Sequence, residues 1–447
     1  MDKINLSKIF EGFDENLIVT GITTDSRKIS EGVLFIALKG ENFNGEDFIE
    51  DAFTKGATAA IVSKNFSKEI SGGAIIKVDD TLKAYQKIAA YWRDKFNIPI
   101  VAITGSTGKT TTKDLTAAVL SELGKILKTS ANFNNEIGVP LTLLELDETH
   151  KAAVVEIGMR GLGQIEELAK IVKPNIAIVT NVNETHIELL GSMENIAKAK
   201  AELVEAIPSG GVVILNADNP YTAAMKNLVK PGVKIFTHGI EQPADLKADN
   251  VSITGGSTVF NLTYQGKIYH FDLPLIGRHN ISNALAATAA GLFVGLDFDQ
   301  IRYGISTLVT TKMRFEVIRR DGIIIVNDAY NASPASMRAS IKTAAEVYDT
   351  RKIAVLGDMF ELGDISEKVH REVGEYLAAN NFEILITVGE LGKFIAEGAK
   401  SAGMEKVFVT DSHEDAAKTL RGILHYDDVV LFKASHGMHL EKVIELI

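Results

Sequence analysis

The chain has 447 residues, too many for one ordinary core, and at about 150 residues per domain its length suggests roughly three domains. Hydrophobic residues make up 46% and charged residues 23%, the balance of a soluble globular protein, which excludes extensive disorder. The formal net charge of -11 argues against a nucleic-acid binder, whose footprint is basic, and the absence of cysteine excludes disulfides, thiolate metal sites and a cysteine nucleophile. An anionic substrate can bind such a chain only in a locally basic or metal-filled cleft. The opening stretch MDKINLSKIFEGFDENL has no basic start followed by a long apolar run, and nowhere do about 18 apolar residues occur in succession. Neither a secretory signal nor a spanning helix is therefore expected, and a cytoplasmic location is.

Residues 1–80 alternate short apolar strands, VLFIAL, AAIV and AIIKV, with helical stretches such as 46–55, and read as a small α/β unit. A helix over 82–96 leads to Pro99 and to a buried strand over 101–104. There VAITGSTGKTTTKDL breaks from apolar strand into a glycine-rich turn and a threonine-rich helix start. Gly105 and Gly108 let the backbone turn tightly, and Lys109 with Thr110 opens a helix whose free N–H groups face the turn. The segment of Gly105, Ser106, Thr107, Gly108, Lys109, Thr110 and Thr111 is thus a phosphate cradle. Lys109 would neutralise terminal phosphates and the Thr110 hydroxyl would reach a magnesium ion. Ile103 stands where the full phosphate-loop pattern has its first glycine, which leaves the shorter G-x-x-G-K-T. A plain strand-to-helix turn with an incidental lysine is the alternative.

From 81 to 312 the strands AAVVEI, IAIVTN and GVVILN alternate with helices, which implies a mostly parallel sheet. Glu156 ends one of them, where a carboxylate can complete a magnesium site begun by Thr110, or can simply be solvated. The next strand end is followed by His186 and by a helix carrying Lys198 and Lys200, residues equally at home as structural histidine and solvated face. DNVSITGGSTVFNLTYQGKIYHFDLPL alternates with period two around turns at Gly255-Gly256 and Gln265-Gly266, an antiparallel meander at the sheet edge. NISNALAATAAGLFVGL is an alanine-rich helix.

Residues 313–447 restart the alternation with GIIIVND, KIAVLGD, EILITVG, KVFVT and DVVLFKA. Ligands of such sheets bind at the carboxyl ends of the strands, where Asp328, Asp358, Gly389 and Ser435 fall. Arg314 could reach a phosphate and Asp328 a ribose hydroxyl, with Tyr330 and Asn331 close by. The residues by themselves lead as far as a magnesium-dependent ATP user.

The order of these strings resembles the Mur ligase family over nearly the whole chain: TDSRKISEGVLFIALKG near the start, ITGSTGKTTT in the middle, RHNISNALAA after it, and NDAYNASPASM with LGDMFELG in the last third. ANFNNEIGVPLTLLEL (131–146), taken with DAYNASPASM and LGDMFELG, is similar to the branch that adds the D-alanyl-D-alanine dipeptide. It differs from the branches adding one amino acid and from the folylpolyglutamate synthases. The resemblance implies an α/β chain of three domains: 1–80 binding a UDP-sugar, 81–312 a central ATPase domain, and 313–447 a Rossmann-like domain taking the incoming dipeptide. It implies that ATP with Mg2+ phosphorylates the terminal carboxylate of UDP-N-acetylmuramoyl-tripeptide. The dipeptide amine would then attack the acyl phosphate, and a tetrahedral intermediate would release phosphate.

Carried over residue by residue, Lys109 and Thr110 match the phosphate loop, Glu156 a magnesium ligand and His186 a ligand of the second metal. Lys200 matches a lysine that sister ligases carbamylate to bind metal. Asn280 matches an adenine contact, Arg314 a phosphate contact between domains, and Asp328 with Tyr330 the ribose and adenine side. Ser26 and Arg27 match the motif near the uridine nucleotide; Asn134, Asn135, Asn331 and Ser435 are assigned to substrate. The chain departs from the family at Ala434 and His436, where glycine and arginine are usual, and in EIGMRGLGQI and NGEDF. A monomer suffices, because the site lies between domains of one chain. Lys109 in the centre and Arg314 with Asp328 after the junction imply that the ATP site is complete only when the domains meet. The rivals are a sister ligase adding one amino acid and a nucleotide-gated binding protein, in which ATP closes the domains without peptide-dependent phosphate release.

Overall fold

The computed structural model describes residues 4–10, 17–254 and 256–447. Each of the three α/β stretches closes its own sheet. In the first, Gly21–Thr23, Val33–Ile36, Ala59–Ser63 and Ala74–Val78 form four parallel strands in sequence order. A two-stranded antiparallel pair, Ile4–Asn5 with Ile18–Val19, lies apart from it. The helix expected over 46–55 starts as a 3-10 turn, Gly45–Phe48, whose N-cap Asn44 accepts from Glu46 N–H, and continues as the α-helix Ile49–Thr54.

The central sheet has nine strands. Its parallel part runs Lys125–Lys128, His150–Glu156, Ile100–Thr104, Ile176–Val179, Val212–Asn216, Lys234–Gly239. The expected meander, Leu246–Thr254, Ser257–Tyr264 and Lys267–Leu273, closes one edge; Gly255 of its first turn lies outside the described residues. Ile100–Thr104 is buried at every residue, and the later strands are added first on one side of it (Lys125–Lys128, His150–Glu156) and then on the other (Ile176–Val179), so the strand order reverses here and the crevice of the sheet opens at its carboxyl end. Register sets Ile103 beside Glu156 and Thr104 beside Val179, which brings three strand ends to one place.

The alanine-rich helix, Arg278–Phe293, packs on the phosphate-loop helix, Lys109–Leu120. A small residue permits that approach, since a Cβ on Gly291 would fall 2.7 Å from Val119 Cγ1; the next helix, Phe298–Ser306, comes equally close at Gly304, where a Cβ would fall 2.7 Å from Val119 Cα. Thr81–Arg93 is capped by Asp80, and its Trp92 indole donates to Leu146 O at 3.0 Å, tying this helix to the central domain.

The C-terminal sheet runs Glu316–Arg320, Ile323–Asn327, Val429–Lys433, Lys352–Gly357, Ile384–Val388, Lys406–Thr410, parallel except for its first strand. The last strand in the chain lies between earlier ones, as a Rossmann-like crevice requires. The strands Lys125–Lys128, Lys234–Gly239 and Glu316–Arg320 go beyond the sequence reading. Each is short or carries lysine, arginine or histidine in its pattern, so sheet pairing rather than hydrophobicity makes it a strand.

One buried group makes this fold sensitive to acid. His238, on Lys234–Gly239, is 1% exposed and neither ring nitrogen has a hydrogen-bond partner among the described residues. Burial pushes its pKa down to about 4, against weak support from Asp218. The unfolded chain therefore binds the proton from about pH 6.5 downward while the native one does not, so stability is full above that pH and is lost as pH falls towards 4. Between about pH 7 and about pH 4.5, urea unfolding should show the wild type losing on the order of 2 to 3 kcal/mol more than His238→Leu.

Candidate active site

The phosphate loop needs both of its glycines. Gly105 has φ +149, and a Cβ there would lie 1.8 Å from Thr180 Oγ1; Gly108 has φ +79, and a Cβ would lie 2.7 Å from Asn283 Oδ1. The next strand end braces the loop. Thr107 N–H and hydroxyl donate to Asn181 Oδ1 at 2.9 and 3.1 Å, Thr180 donates to Thr107 O at 2.6 Å, and Ser106 N–H donates to Asn181 O at 2.9 Å. The Lys109 ammonium folds back onto Gly105 O at 2.9 Å and Ser106 O at 3.3 Å. Burial lowers its pKa, Glu156 opposes that shift and Arg314 adds to it.

Glu156 is the anion at the floor. It is 2% exposed; Oε2 accepts from the Thr110 hydroxyl at 2.9 Å and Oε1 from Asn134 Nδ2 at 2.8 Å. Arg314 reaches over from the C-terminal segment and donates from Nη2 to Thr110 Oγ1 at 2.9 Å. Its guanidinium lies 4.2 Å from the Tyr330 ring centroid, and its buried Nε has no acceptor among the described residues. An unpartnered arginine donor beside a phosphate loop suits an anionic ligand oxygen.

Lys200, on the helix Met193–Glu205, is 2% exposed, and no described residue accepts a hydrogen bond from it. Burial first, then the Lys109 charge, puts its pKa well below the usual lysine range. His186 Nδ1 contacts Glu361 Oε2, and Arg160 Nη2 donates to Glu361 Oε1 at 2.6 Å. The hydrogen bond with His186 chiefly holds the Glu361 carboxyl down at about 2.

On the opposite wall, Asn280 Nδ2 donates to Ile276 O and its Oδ1 accepts from Asn283, which in turn accepts from the Thr112 hydroxyl. Asp328 is fully engaged: Phe315 N–H donates to Oδ1 at 3.0 Å, while Lys433 at 2.6 Å and the Ser340 hydroxyl donate to Oδ2. These walls enclose a cleft of ≈ 930 Å³ between the central and C-terminal domains. Lys109, Glu156, His186, Lys200, Arg314, Asn280, Asp328, Tyr330, Asn134, Asn135 and Asn331 all line it. Asn135 also caps the helix Gly138–Leu144, Oδ1 accepting from Gly138 N–H at 2.9 Å. Ser435 is 3% exposed and lies behind the lining, its hydroxyl accepting from Phe360 N–H at 2.9 Å. Ser26 and Arg27 are outside the cleft on the N-terminal domain, Arg27 paired with Asp25 at 2.9 Å. Asn181, Asn283, Lys433 and Glu361 carry no role in the sequence analysis, although Asn283 lies in the RHNISNALAA string and Glu361 in LGDMFELG; Asn181 and Lys433 have only their places at strand ends to signal them.

Family models describing the Mur ligase family catalytic domain, the Mur ligase middle domain and the Mur ligase glutamate ligase domain match residues 18–93, 103–291 and 313–436. The UDP-N-acetylmuramoyl-tripeptide–D-alanyl-D-alanine ligase of Bacillus subtilis (strain 168) is 39% identical over 435 residues, which covers 96% of this chain and 93% of that protein. The crystal structure of MurF from Acinetobacter baumannii superposes with a TM-score of 0.89 at 32% identity, covering 96% and 93% of the two chains. MurF ligase of Thermotoga maritima, solved in complex with ADP, has a TM-score of 0.87 at 28% identity, covering 96% of this chain and 97% of that one.

Gly108→Ala should weaken ADP binding by at least about tenfold in calorimetry, because the loop must shift off Asn283. Gly266→Ala carries a similar positive φ of 74 with nothing within 4 Å of the new Cβ, and should bind ADP like the wild type.

Proposed function

This chain belongs to the Mur ligase family, and on that premise we infer that it is an ATP-dependent ligase of peptidoglycan synthesis. It joins D-alanyl-D-alanine to UDP-N-acetylmuramoyl-tripeptide and yields the nucleotide-linked pentapeptide, ADP and phosphate. The observation that carries the reading is the meeting of Lys109, Thr110 and Glu156 from one domain with Arg314 from the next in a single cleft.

The chemistry explains why ATP is spent. A carboxylate at neutral pH is a poor electrophile, so the tripeptide carboxylate is activated as an acyl phosphate before the dipeptide amine attacks. Bringing carboxylate and triphosphate together sets anion against anion, and Lys109 with Arg314 offsets the repulsion. The attack gives a tetrahedral intermediate that collapses with loss of phosphate. Thr110 and Glu156 offer adjacent hard oxygens that suit Mg2+, with Asn134 orienting the carboxylate. Bound there, the ion supplies charge neutralisation of the phosphates. His186 and Lys200 would serve a second metal; a buried lysine without a partner among the described residues, its basicity depressed by burial, suits carbamylation by CO2.

Asn280, Tyr330 and Asp328 are assigned to the nucleoside, and the loop Gly105 to Thr111 to its phosphates. Ser26 and Arg27 are assigned to the uridine nucleotide in a UDP-sugar domain over 1–80, next to the ATP domain over 81–312. The domain over 313–447 takes the dipeptide, with Asn331 and, from the central domain, Asn134 and Asn135 serving peptide recognition, and Ser435 supporting the site from behind the lining through Phe360 N–H. The cleft is built within one chain, which supports a monomer. Among the described residues no helix is long and apolar enough to cross a membrane, and use of ATP with a nucleotide-linked substrate fits the cytoplasm.

Phosphate release from ATP with UDP-N-acetylmuramoyl-tripeptide should require D-alanyl-D-alanine, should not be supported by D-alanine alone, and should vanish in Lys109→Ala. Turnover with a single amino acid would identify a sister ligase, and ATP binding without turnover a nucleotide-gated binding protein. Carbon-13 bicarbonate should add one carbamate NMR signal to the wild type that is missing from Lys200→Met; no signal would leave Lys200 a plain amine.

A further inference from the structure

We propose that Glu361 is a positioning residue, carried by the C-terminal domain, that sets the imidazole of His186 when the two domains dock. The inference rests on the reading that His186 serves the reaction.

Both carboxylate oxygens of Glu361 cross the domain boundary, Oε2 to His186 Nδ1 and Oε1 to Arg160 Nη2. Its backbone crosses too, since Glu188 N–H donates to Glu361 O at 3.4 Å. The two residues share an unusual conformation: Glu361 has φ 61 and His186 φ 64. Side chains other than glycine hold the left-handed region at a cost, and two such residues facing each other persist only where neighbouring contacts fix both loops. Those contacts are present. Gly363, at φ 52, lies so close to Glu188 that an added Cβ would be 3.3 Å from the Glu188 Cβ. Ile187 packs against the hydrophobic clusters of both the central and C-terminal domains.

Simple adhesion does not account for the arrangement. The Arg160 side chain is 74% exposed, and an ion pair in that setting contributes little to docking. His186 is the sheltered partner, with 23% of its side chain exposed. A carboxylate at Nδ1 requires that nitrogen to carry a hydrogen, which leaves Nε2 as the ring nitrogen available to the cleft that His186 lines. Arg160 then fixes the carboxylate rather than the domain. The ring is oriented only while the loop bearing Glu361 is docked, so closure and assembly of this part of the site are one event.

Full-length wild type, Glu361→Ala, Glu361→Gln and His186→Ala would be compared in the ligase assay and by nitrogen-15 histidine NMR without nucleotide or metal. Glu361→Ala should lower kcat about 10 to 100-fold, the usual effect of removing the orienter of a functional histidine, with KM for ATP changed less than about threefold. Its His186 signals should shift from the Nδ1–H form towards a tautomer mixture, and Glu361→Gln, which can still accept from Nδ1, should be intermediate in both readouts. Wild-type kcat in Glu361→Ala, or a fallen kcat with unchanged His186 signals, would overturn the proposal while leaving the role of His186 intact. Full activity in His186→Ala would instead remove that role and the function of Glu361 with it.

Discussion

A single buried carboxylate organises the site. Glu156 ends a strand inside the central sheet, and an ion that far from water is tolerated only when its oxygens are satisfied. One oxygen takes the Thr110 hydroxyl and the other the Asn134 amide, while its own N–H donates to Thr129 Oγ1 at 2.9 Å. The sheet register fixes Glu156 beside Ile103, so the phosphate loop that follows Thr104 opens beside this carboxylate. The NNEIGVP segment, read in the sequence as a mark of the family branch, thereby gains a physical role, since Asn134 holds Glu156 and Asn135 caps the helix behind it.

Around that anion the cleft is cationic although the chain is acidic, with a formal net charge of -11. Lys109 is turned onto backbone carbonyls, Lys200 has no acceptor among the described residues, and Arg314 leaves one donor unpaired. Burial disfavours both ammonium charges; Arg314 further opposes that of Lys109, and Lys109 that of Lys200. An anionic ligand relieves all three at once, so phosphate binding and the approach of the domain bearing Arg314 favour each other.

The sequence was most legible where one local pattern carried both structure and chemistry. The phosphate loop shows its strand, its two glycines and its helix start within one short string, and Glu156 stands out as a charge ending an apolar run. Partners brought in by topology were not legible. Asn283 lies in the RHNISNALAA string but 171 residues beyond Thr112, its hydrogen-bond partner; the string does not tell which residue it meets, and only helix packing seats its amide against the loop. Lys433 reads as the polar end of a strand until that strand inserts beside Ile323–Asn327 and delivers it to Asp328. Edge strands such as Lys125–Lys128 failed for a related reason: with one neighbour and one buried residue, they carry little of the hydrophobic signal that marks central strands.

The junction between domains turns these contacts into a mechanical unit. Met313 and Phe315 both hold positive φ, 61 and 52, on either side of Arg314. Carboxylates fix them: Glu316 accepts from Met313 N–H at 3.0 Å and Asp328 from Phe315 N–H at 3.0 Å. Just upstream, Thr311 donates to Asp114 on the phosphate-loop helix at 2.6 Å. Arg314 therefore reaches Thr110 from a backbone conformation that carboxylates of its own domain hold in place. Asp328, assigned to the nucleoside, is the same carboxylate that anchors this linker through Phe315 and is itself held by Lys433 and Ser340. A displacement of Asp328 at the nucleotide would thus be transmitted to the residue that aims Arg314, so nucleotide recognition and the geometry of closure share one side chain rather than communicating over a distance.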